Sequence, residues 1–204
     1  PFLLTGLLQK ILEATPGSRV INHSSSASDH CHSVKDIHKM AAVQNTEYHT
    51  WESYSCSKRA NRYFTWSLNQ RLSGVLAVAC HPGWTGTNLQ HRATGLQASL
   101  PDWLFTALWT AMNAAYAQPP SLGAQPQLFA ATQAADSQNN SGGGVLLKGG
   151  EVLGPRFYMF GTPVVETADF CDLGSGLGQC EQADLDALWT LSETLAGFTY
   201  SRKS

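Results

Sequence analysis

Charge is scarce in this chain of 204 residues, and what there is does not cluster. Thirteen Lys and Arg stand against fifteen Asp and Glu, for a formal net charge of −2. No basic stripe and no interleaving of basic with aromatic residues is present, which excludes the electrostatic footprint of a nucleic-acid binder. Long apolar runs are lacking as well, and none reaches the ~20 residues of a membrane-spanning helix. There is no CxxC pair. The five cysteines, Cys31, Cys56, Cys80, Cys171 and Cys180, are odd in number and far apart. That pattern argues against a disulfide scaffold and for a reducing, intracellular compartment, cytoplasm or organelle. A Cys171–Cys180 bridge stays open. No signal or transit peptide is visible in a sequence that starts at Pro1. Between Trp103 and Ala135 there is no Asp, Glu, Lys or Arg at all. What remains is long enough for one domain with a real core.

The periodicity is that of an α/β chain. Residues 2–14 predict a helix with Leu3, Leu4, Leu7, Leu8, Ile11 and Leu12 on one stripe, stopped by Pro16-Gly17. Arg19 to His23 reads as a short strand. Ser24 to about Thr46 is polar and irregular, longer than an ordinary connection, and so a candidate functional loop. Trp51 to Leu72 reads as a helix with Tyr63, Phe64 and Leu68 inward, ended by Gly74. Val75 to Cys80 is a second strand, broken by Pro82-Gly83. Strand, helix and strand at this spacing make a βαβ unit with parallel strands, and ligands bind beyond the carboxyl ends of such strands. Ser25 and His81-Pro82-Gly83 lie just past those ends. Trp103, Leu104, Phe105, Leu108, Trp109 and Met112 recur at helical spacing, as a core helix or as an apolar substrate wall. Gln125 to Ala135 reads as a further helix and Asn139 to Gly144 as a flexible loop. Gly154-Pro155 and Gly161-Thr162-Pro163 read as turns. Glu181 to Ala196 reads as an amphipathic helix through Leu185, Leu188, Trp189, Ser192 and Leu195, with Gly197 as its C-cap.

The residues that suggest chemistry are Tyr54 and Lys58, in Tyr54-Ser55-Cys56-Ser57-Lys58. Four residues apart, they share one helix face. A phenol of pKa about 10 is a poor acid or base near neutrality. A neighbouring ammonium favours the phenolate and lowers that value, and a hydroxyl so tuned can exchange a proton with a substrate oxygen. The spacing alone also fits a solvated lysine lying over a ring.

The surrounding segments, in order, resemble the short-chain dehydrogenase/reductase family, in its retinol-dehydrogenase-like and protochlorophyllide-reductase-like branch. Pro1-Phe2-Leu3-Leu4-Thr5 with Leu7-Leu8 is similar to "HFLLTNLL". Arg19-Val20-Ile21-Asn22-His23-Ser24-Ser25 is similar to "RIVNVSS". Tyr48 to Asn61 is similar to "YxxWxAYxQSKLAN", and Val78 to Thr87 to "NALHPGxVxT". The stretch of Gly154-Pro155 and Gly161-Thr162-Pro163 resembles "YGPxG…GxP". The resemblance implies a Rossmann-like, doubly wound parallel sheet. It implies that residues 1–204 are the C-terminal, catalytic portion of one such domain. The family's glycine-rich TGxxxGIG turn, which carries the cofactor pyrophosphate, and its catalytic asparagine have no counterpart in this sequence. The expectation is therefore a chain that holds the catalytic half, lacks most of the nucleotide-binding half, and turns over little as it stands.

The resemblance also implies roles. Tyr54 is the general acid/base, and Lys58 lowers its pKa and hydrogen-bonds the nicotinamide ribose. Ser25 hydrogen-bonds the substrate oxygen and stabilises its developing charge, with Ser24 and Ser26 as rivals. Pro82 and Gly83 place a tight turn against the nicotinamide, glycine allowing close approach. Trp84, Thr85 and Thr87 follow in the cofactor-binding segment, with Thr85 where an apolar residue is usual. Thr87 contacts the cofactor amide or phosphate, or merely caps a helix. Asn22 lies near the ribose or serves structural hydrogen bonding. The cofactor implied is NADP or NAD, with a lean to NADP. The substrate is a fairly apolar alcohol or carbonyl compound, and the assembly is a homodimer through the Tyr54 helix or a monomer. Asp29, His30, Cys31, His32 and His38 look like metal ligands, but adjacent ligands rarely close on one ion, and no metal is expected. Gly174-Ser175-Gly176-Leu177-Gly178 matches no nucleotide loop and reads as a linker. The second functional reading is a non-catalytic binding or interaction protein derived from a truncated reductase fold.

Overall fold

The structure is a computed structural model that describes residues 1–31, 34–42, 48–87, 101–133, 147–167 and 182–201. A four-stranded open sheet runs in the order β1 (Arg19–His23), β2 (Leu76–Cys80), β3 (Val152–Pro155), β4 (Pro163–Thr167). β1 and β2 are parallel, with Ile21 opposite Val78, and β3 continues the parallel pairing beside β2. β4 returns antiparallel to β3. This is the α/β, Rossmann-like architecture that the periodicity and the motifs imply.

β2 is covered on both faces, which is why it reads as an almost unbroken apolar run. Successive side chains point to opposite faces of a strand. Ala77 and Ala79 therefore join the clusters under α4 (Thr50–Arg71) and α8 (Gln182–Ala196), with Tyr63, Phe64, Leu68, Leu185, Leu188 and Trp189. Val78 and Cys80 face the other way, with Leu147, Leu153 and Ala130 of α7 (Gln125–Thr132). Two further helices, α5 (Asp102–Tyr116) and the short α6 (Pro120–Gly123), lead into α7.

Three features depart from the sequence reading. The first helix breaks at Leu8 into α1 (Phe2–Leu7) and α2 (Gln9–Ala14). Most of its leucine stripe does not face the core: Leu4, Leu7 and Ile11 are each 65% exposed, while Leu12 packs inward. The pair docks mainly through Phe2, Gly6 and Gln9. The ring of Phe2 stacks edge-on against Trp189 and Tyr200, and Phe198 occupies the space where a Cβ on Gly6 would lie. Second, part of the segment read as irregular is ordered into a 3-10 turn (Ser26–His30) and α3 (Val34–Ala42), with Val34 and Ile37 in the core. Third, the residues read as turns around Gly154 and Thr162 form the β3–β4 hairpin. The expected loop at Asn139–Gly144, the Cys171–Cys180 pair and Gly174–Gly178 lie outside the described residues.

The cysteines also hold a pair that their spacing did not reveal. Cys31, at the end of the 3-10 turn, is disulfide-bonded to Cys56 of α4. The bond ties the loop after β1 to the helix of Tyr54. Closing a loop of this length stabilises by about 3 kcal/mol in the chain-entropy view. Reduction, or Cys56→Ser, is expected to lower the melting temperature by several degrees while far-UV circular dichroism is retained. An unchanged melting curve in reductant would remove the bond from the stability account. Cys80 is buried as a thiol, and burial pushes it up to about 12, so it stays protonated.

Candidate functional site

The site lies past the carboxyl ends of β1 and β2. A chain leaving a parallel strand must turn there, and its side chains are free for chemistry. The turn after β1 holds Ser24, Ser25 and Ser26; the turn after β2 holds His81, Pro82 and Gly83. α4 runs between the two strands and presents Tyr54. Together they open a cleft of about 760 Å³. Of the residues the sequence singled out, Ser25, Ser26, Tyr54, Pro82, Gly83, Trp84, Thr85 and Thr87 line it.

The serines divide their roles by hydrogen bonding. Ser24 is buried; its hydroxyl donates to the Lys58 carbonyl at 2.9 Å and accepts from Arg62 Nε at 3.3 Å. Ser25 caps the 3-10 turn, its Oγ accepting the Ala27 N–H at 3.2 Å. That bond uses a lone pair and leaves the Ser25 proton free to be donated into the cleft. Lys58 sits beside Tyr54, its Nζ 5.6 Å from the ring centroid. It donates to the His23 carbonyl at 3.3 Å, which leaves other ammonium protons for a ligand. Burial lowers the Lys58 pKa.

Asn22 is not brought to the cleft. It is buried at the end of β1, where its amide donates to Thr65 Oγ1 at 2.8 Å. Gly83 has φ of +67°, but the space its missing Cβ leaves is filled by the Met159 backbone of the β3–β4 hairpin and by Pro155. The glycine thus admits the backbone of the hairpin loop at the point where its Cβ would lie. Thr85 is buried, donates to the Pro82 carbonyl at 3.1 Å and bridges to Gln118, so it braces the turn. Thr87 is exposed at the rim. Trp84 is fixed by its indole N–H to Asn113 Oδ1 at 2.9 Å and stacks on Trp109.

Several lining residues were not singled out from the sequence. His23 stands where the quoted motif has valine, and its carbonyl holds both Lys58 and Asn61. Burial, and then the Lys58 ammonium, lower the His23 pKa against an opposing Gln127 hydrogen bond. Trp51 forms one apolar wall; Trp109, on the helix read as core or substrate wall, forms another, with Phe105 stacked on it from the core side. Of the helix around them, Phe105 is buried but Trp103, Leu108 and Met112 face out. Tyr158 and Met159 reach the cleft from the hairpin. His81, by contrast, is fully buried behind the turn. Its Nδ1 accepts the Gly83 N–H at 3.2 Å and its Nε2 pairs with Glu166 at 2.7 Å. A lone pair at Nδ1 places the proton on Nε2, where it is donated to the carboxylate. Among the described residues, no group of three or more His, Cys, Asp or Glu could hold a metal ion. Nor is any described helix long and apolar enough to cross a membrane.

No protein-family model matches the sequence. Curated relatives do. Human retinol dehydrogenase 13 is 37% identical over 135 residues, covering 64% of this chain and 38% of that protein. Retinol dehydrogenase 11 of Mus musculus is 32% identical over 143 residues, 69% of this chain and 41% of that protein. A crystal structure of an uncharacterised protein from Mycobacterium paratuberculosis superposes with a TM-score of 0.59 at 26% identity, over 98% of this chain and 57% of that one. The chain spans about two fifths of the length of the curated relatives it matches. The shared sequence, the parallel sheet and the motif order agree in supporting a short-chain dehydrogenase/reductase family of the retinol-dehydrogenase-like branch, over part of the relatives' length.

Proposed function

We propose that this protein interconverts an alcohol and a carbonyl on a fairly apolar small molecule, using NADP(H) or NAD(H). The observation that carries the reading is the convergence of Ser25 and Tyr54 on one aromatic-walled cleft, with Lys58 beside the tyrosine ring. Lys58 fits the nicotinamide ribose, having ammonium protons left over beyond the His23 carbonyl. Pro82, Trp84 and Thr87 would flank the nicotinamide end, with Gly83 and Thr85 shaping their turn. When bound, the cofactor supplies hydride to a carbonyl carbon or takes it from an alcohol. The lean to NADP rests on the family resemblance.

The chain's own residues do the rest. Ser25 donates its hydroxyl proton to the substrate oxygen and stabilises charge growing there. Tyr54 gives a proton to that oxygen in the reductive direction and removes it in the oxidative one. Lys58, its Nζ 5.6 Å from the ring centroid, holds a positive charge beside the reacting phenol. Trp51, Trp84 and Trp109 exclude water and hold an apolar substrate body.

The glycine-rich turn that carries the pyrophosphate in this family has no counterpart among these 204 residues. The chain by itself is therefore expected to bind cofactor weakly. Titration of its tryptophan fluorescence with NADPH tests this, and affinity equal to that of complete short-chain reductases would refute it. The functional reading is tested by NADPH and NADH consumption against a panel of apolar aldehydes and ketones, using the natural protein that carries this sequence. Consumption is expected. Its complete absence, together with retained binding of the panel compounds, would favour the reading of a non-catalytic binding protein.

A further inference from the structure

We propose that Arg62, Asp29 and Tyr158 form a clamp that positions Ser25, so that all three are positioning residues of the reaction. The inference rests on the reading of Ser25 given above. It begins with the helix: Tyr54, Lys58 and Arg62 are spaced four apart on α4 and follow one another along one face. Arg62 is the next member of the stripe that carries the tyrosine and lysine. It is almost fully buried, 3% exposed, and buried charge must be paired.

Its guanidinium reaches the serine loop at three points. Nε donates to Ser24 Oγ at 3.3 Å, Nη2 to the Ser25 carbonyl at 3.4 Å, and Nη1 to Asp29 Oδ1 at 2.9 Å. Arg59, one turn back on the same helix, adds a second cation 3.6 Å from the same Asp29 oxygen. From the opposite side Tyr158 shares its hydroxyl proton between Asp29 Oδ2 and the Ser26 carbonyl. The backbone on both sides of the Ser25–Ser26 peptide is therefore gripped, by an arginine from the helix and a phenol from the hairpin. Asp29 accepts from both grips and joins them.

Tyr158 carries a second sign of constraint. Its φ of +65° is the one positive value at a non-glycine among the described residues. Side chains avoid that region, and such backbone persists where its surroundings over-determine it. The hydroxyl contacts to Asp29 and Ser26 supply that determination. Burial and the Asp29 carboxylate both push the Tyr158 phenol up, so it remains a donor. Arg59 and Arg62 both reach Asp29, and Arg62 shares the wall of a cavity of about 410 Å³ with Asp29, Arg156 and Glu166.

A hydroxyl that must meet a substrate oxygen within tenths of an ångström needs a fixed backbone, since small misplacements lower rates steeply. The test uses Tyr158→Phe, which removes one oxygen, and Arg62→Lys, which keeps the charge and loses the fork. Each is made alone and in a Ser25→Ala background. Amide hydrogen exchange over residues 24–31 is expected to speed up about tenfold in either variant, the loss of roughly one hydrogen bond. Exchange in β1 and β2 is expected to stay unchanged. In the natural protein, kcat is expected to fall about tenfold with cofactor KM unchanged. With Ser25 already replaced, the clamp variants are expected to cause no further loss.

Unchanged exchange in both variants overturns the clamp, and that measurement needs no turnover. Equal losses with and without Ser25 also overturn it, because a merely structural role would act on both backgrounds alike. If Ser25→Ala loses turnover and the clamp variants do not, the clamp alone falls. If Ser25→Ala retains wild-type turnover, the functional reading falls and takes the catalytic purpose of the clamp with it.

Discussion

Tyr54→Phe is expected to lower kcat by about 10²- to 10⁴-fold, the usual weight of a positioned acid/base, while cofactor binding persists. The ring would remain in the cleft wall beside Trp51 and against Lys58, since both contacts are made by the ring. Only the hydroxyl, with its exchangeable proton, is lost. Hydride transfer to a carbonyl carbon leaves an alkoxide that must be protonated in the same event. Ser25 can stabilise that oxygen by donating to it, but among the described contacts of its hydroxyl none is an acid that would replace a proton given up; its oxygen accepts the Ala27 amide. Steady-state turnover and NADPH fluorescence on the same preparation check both halves. Turnover within twofold of wild type would remove Tyr54 from the chemistry.

Gly154→Ala is expected to cost stability on the order of 3 kcal/mol and to lower the melting temperature by about 6 °C or more. A Cβ at this point of β3 would collide with the Glu166 carboxylate and with His81 Nε2. These two form a pair at 2.7 Å behind the Pro82-Gly83 turn, with the histidine side chain fully buried. The fully buried His81 has no room to withdraw, and Glu166 can move only toward the neighbouring cavity, away from its partner. His81 is also held at its other nitrogen by the Gly83 amide, and Glu166 stands on the paired strand β4. Separating the pair leaves the fully buried His81 N–H without its acceptor and a largely covered carboxylate without its donor, which costs more than the methyl group gains. The disturbance also reaches the cleft, because the turn that His81 supports carries Trp84. Thermal unfolding followed by circular dichroism decides the matter; an unchanged melting temperature would mean that the hairpin yields freely here.

The sequence carried the catalytic half of this picture in local patterns. Tyr54 and Lys58 needed only helical spacing to lie on one face, and Ser25 only the end of a strand. β2 was legible because a strand covered on both sides leaves no polar residues in its run. The sequence was less informative wherever partners are distant. The leucines of α1 and α2 made an amphipathic stripe, yet burial there belongs mainly to Phe2, Gly6 and Gln9, because packing against Trp189, Phe198 and Tyr200 decides which face turns inward. The β3–β4 hairpin read as turns, since Gly154, Pro155, Gly161 and Pro163 are poor strand formers. It forms because β2 offers β3 a paired edge and Glu166 finds His81.

Local patterns thus determined the fold class and brought out Tyr54, Lys58 and Ser25 as candidates for the chemistry, since helix and strand periods place near neighbours without help from the rest of the chain. Folding alone decided that Cys31 meets Cys56, that Met159 fills the space at Gly83, and that Asn22 turns to Thr65. The same holds for Arg62 and Tyr158, which lie 96 positions apart in the chain and meet at one aspartate. Contacts between residues so far apart depend on which surfaces the whole sheet buries, and no short stretch of sequence contains that information.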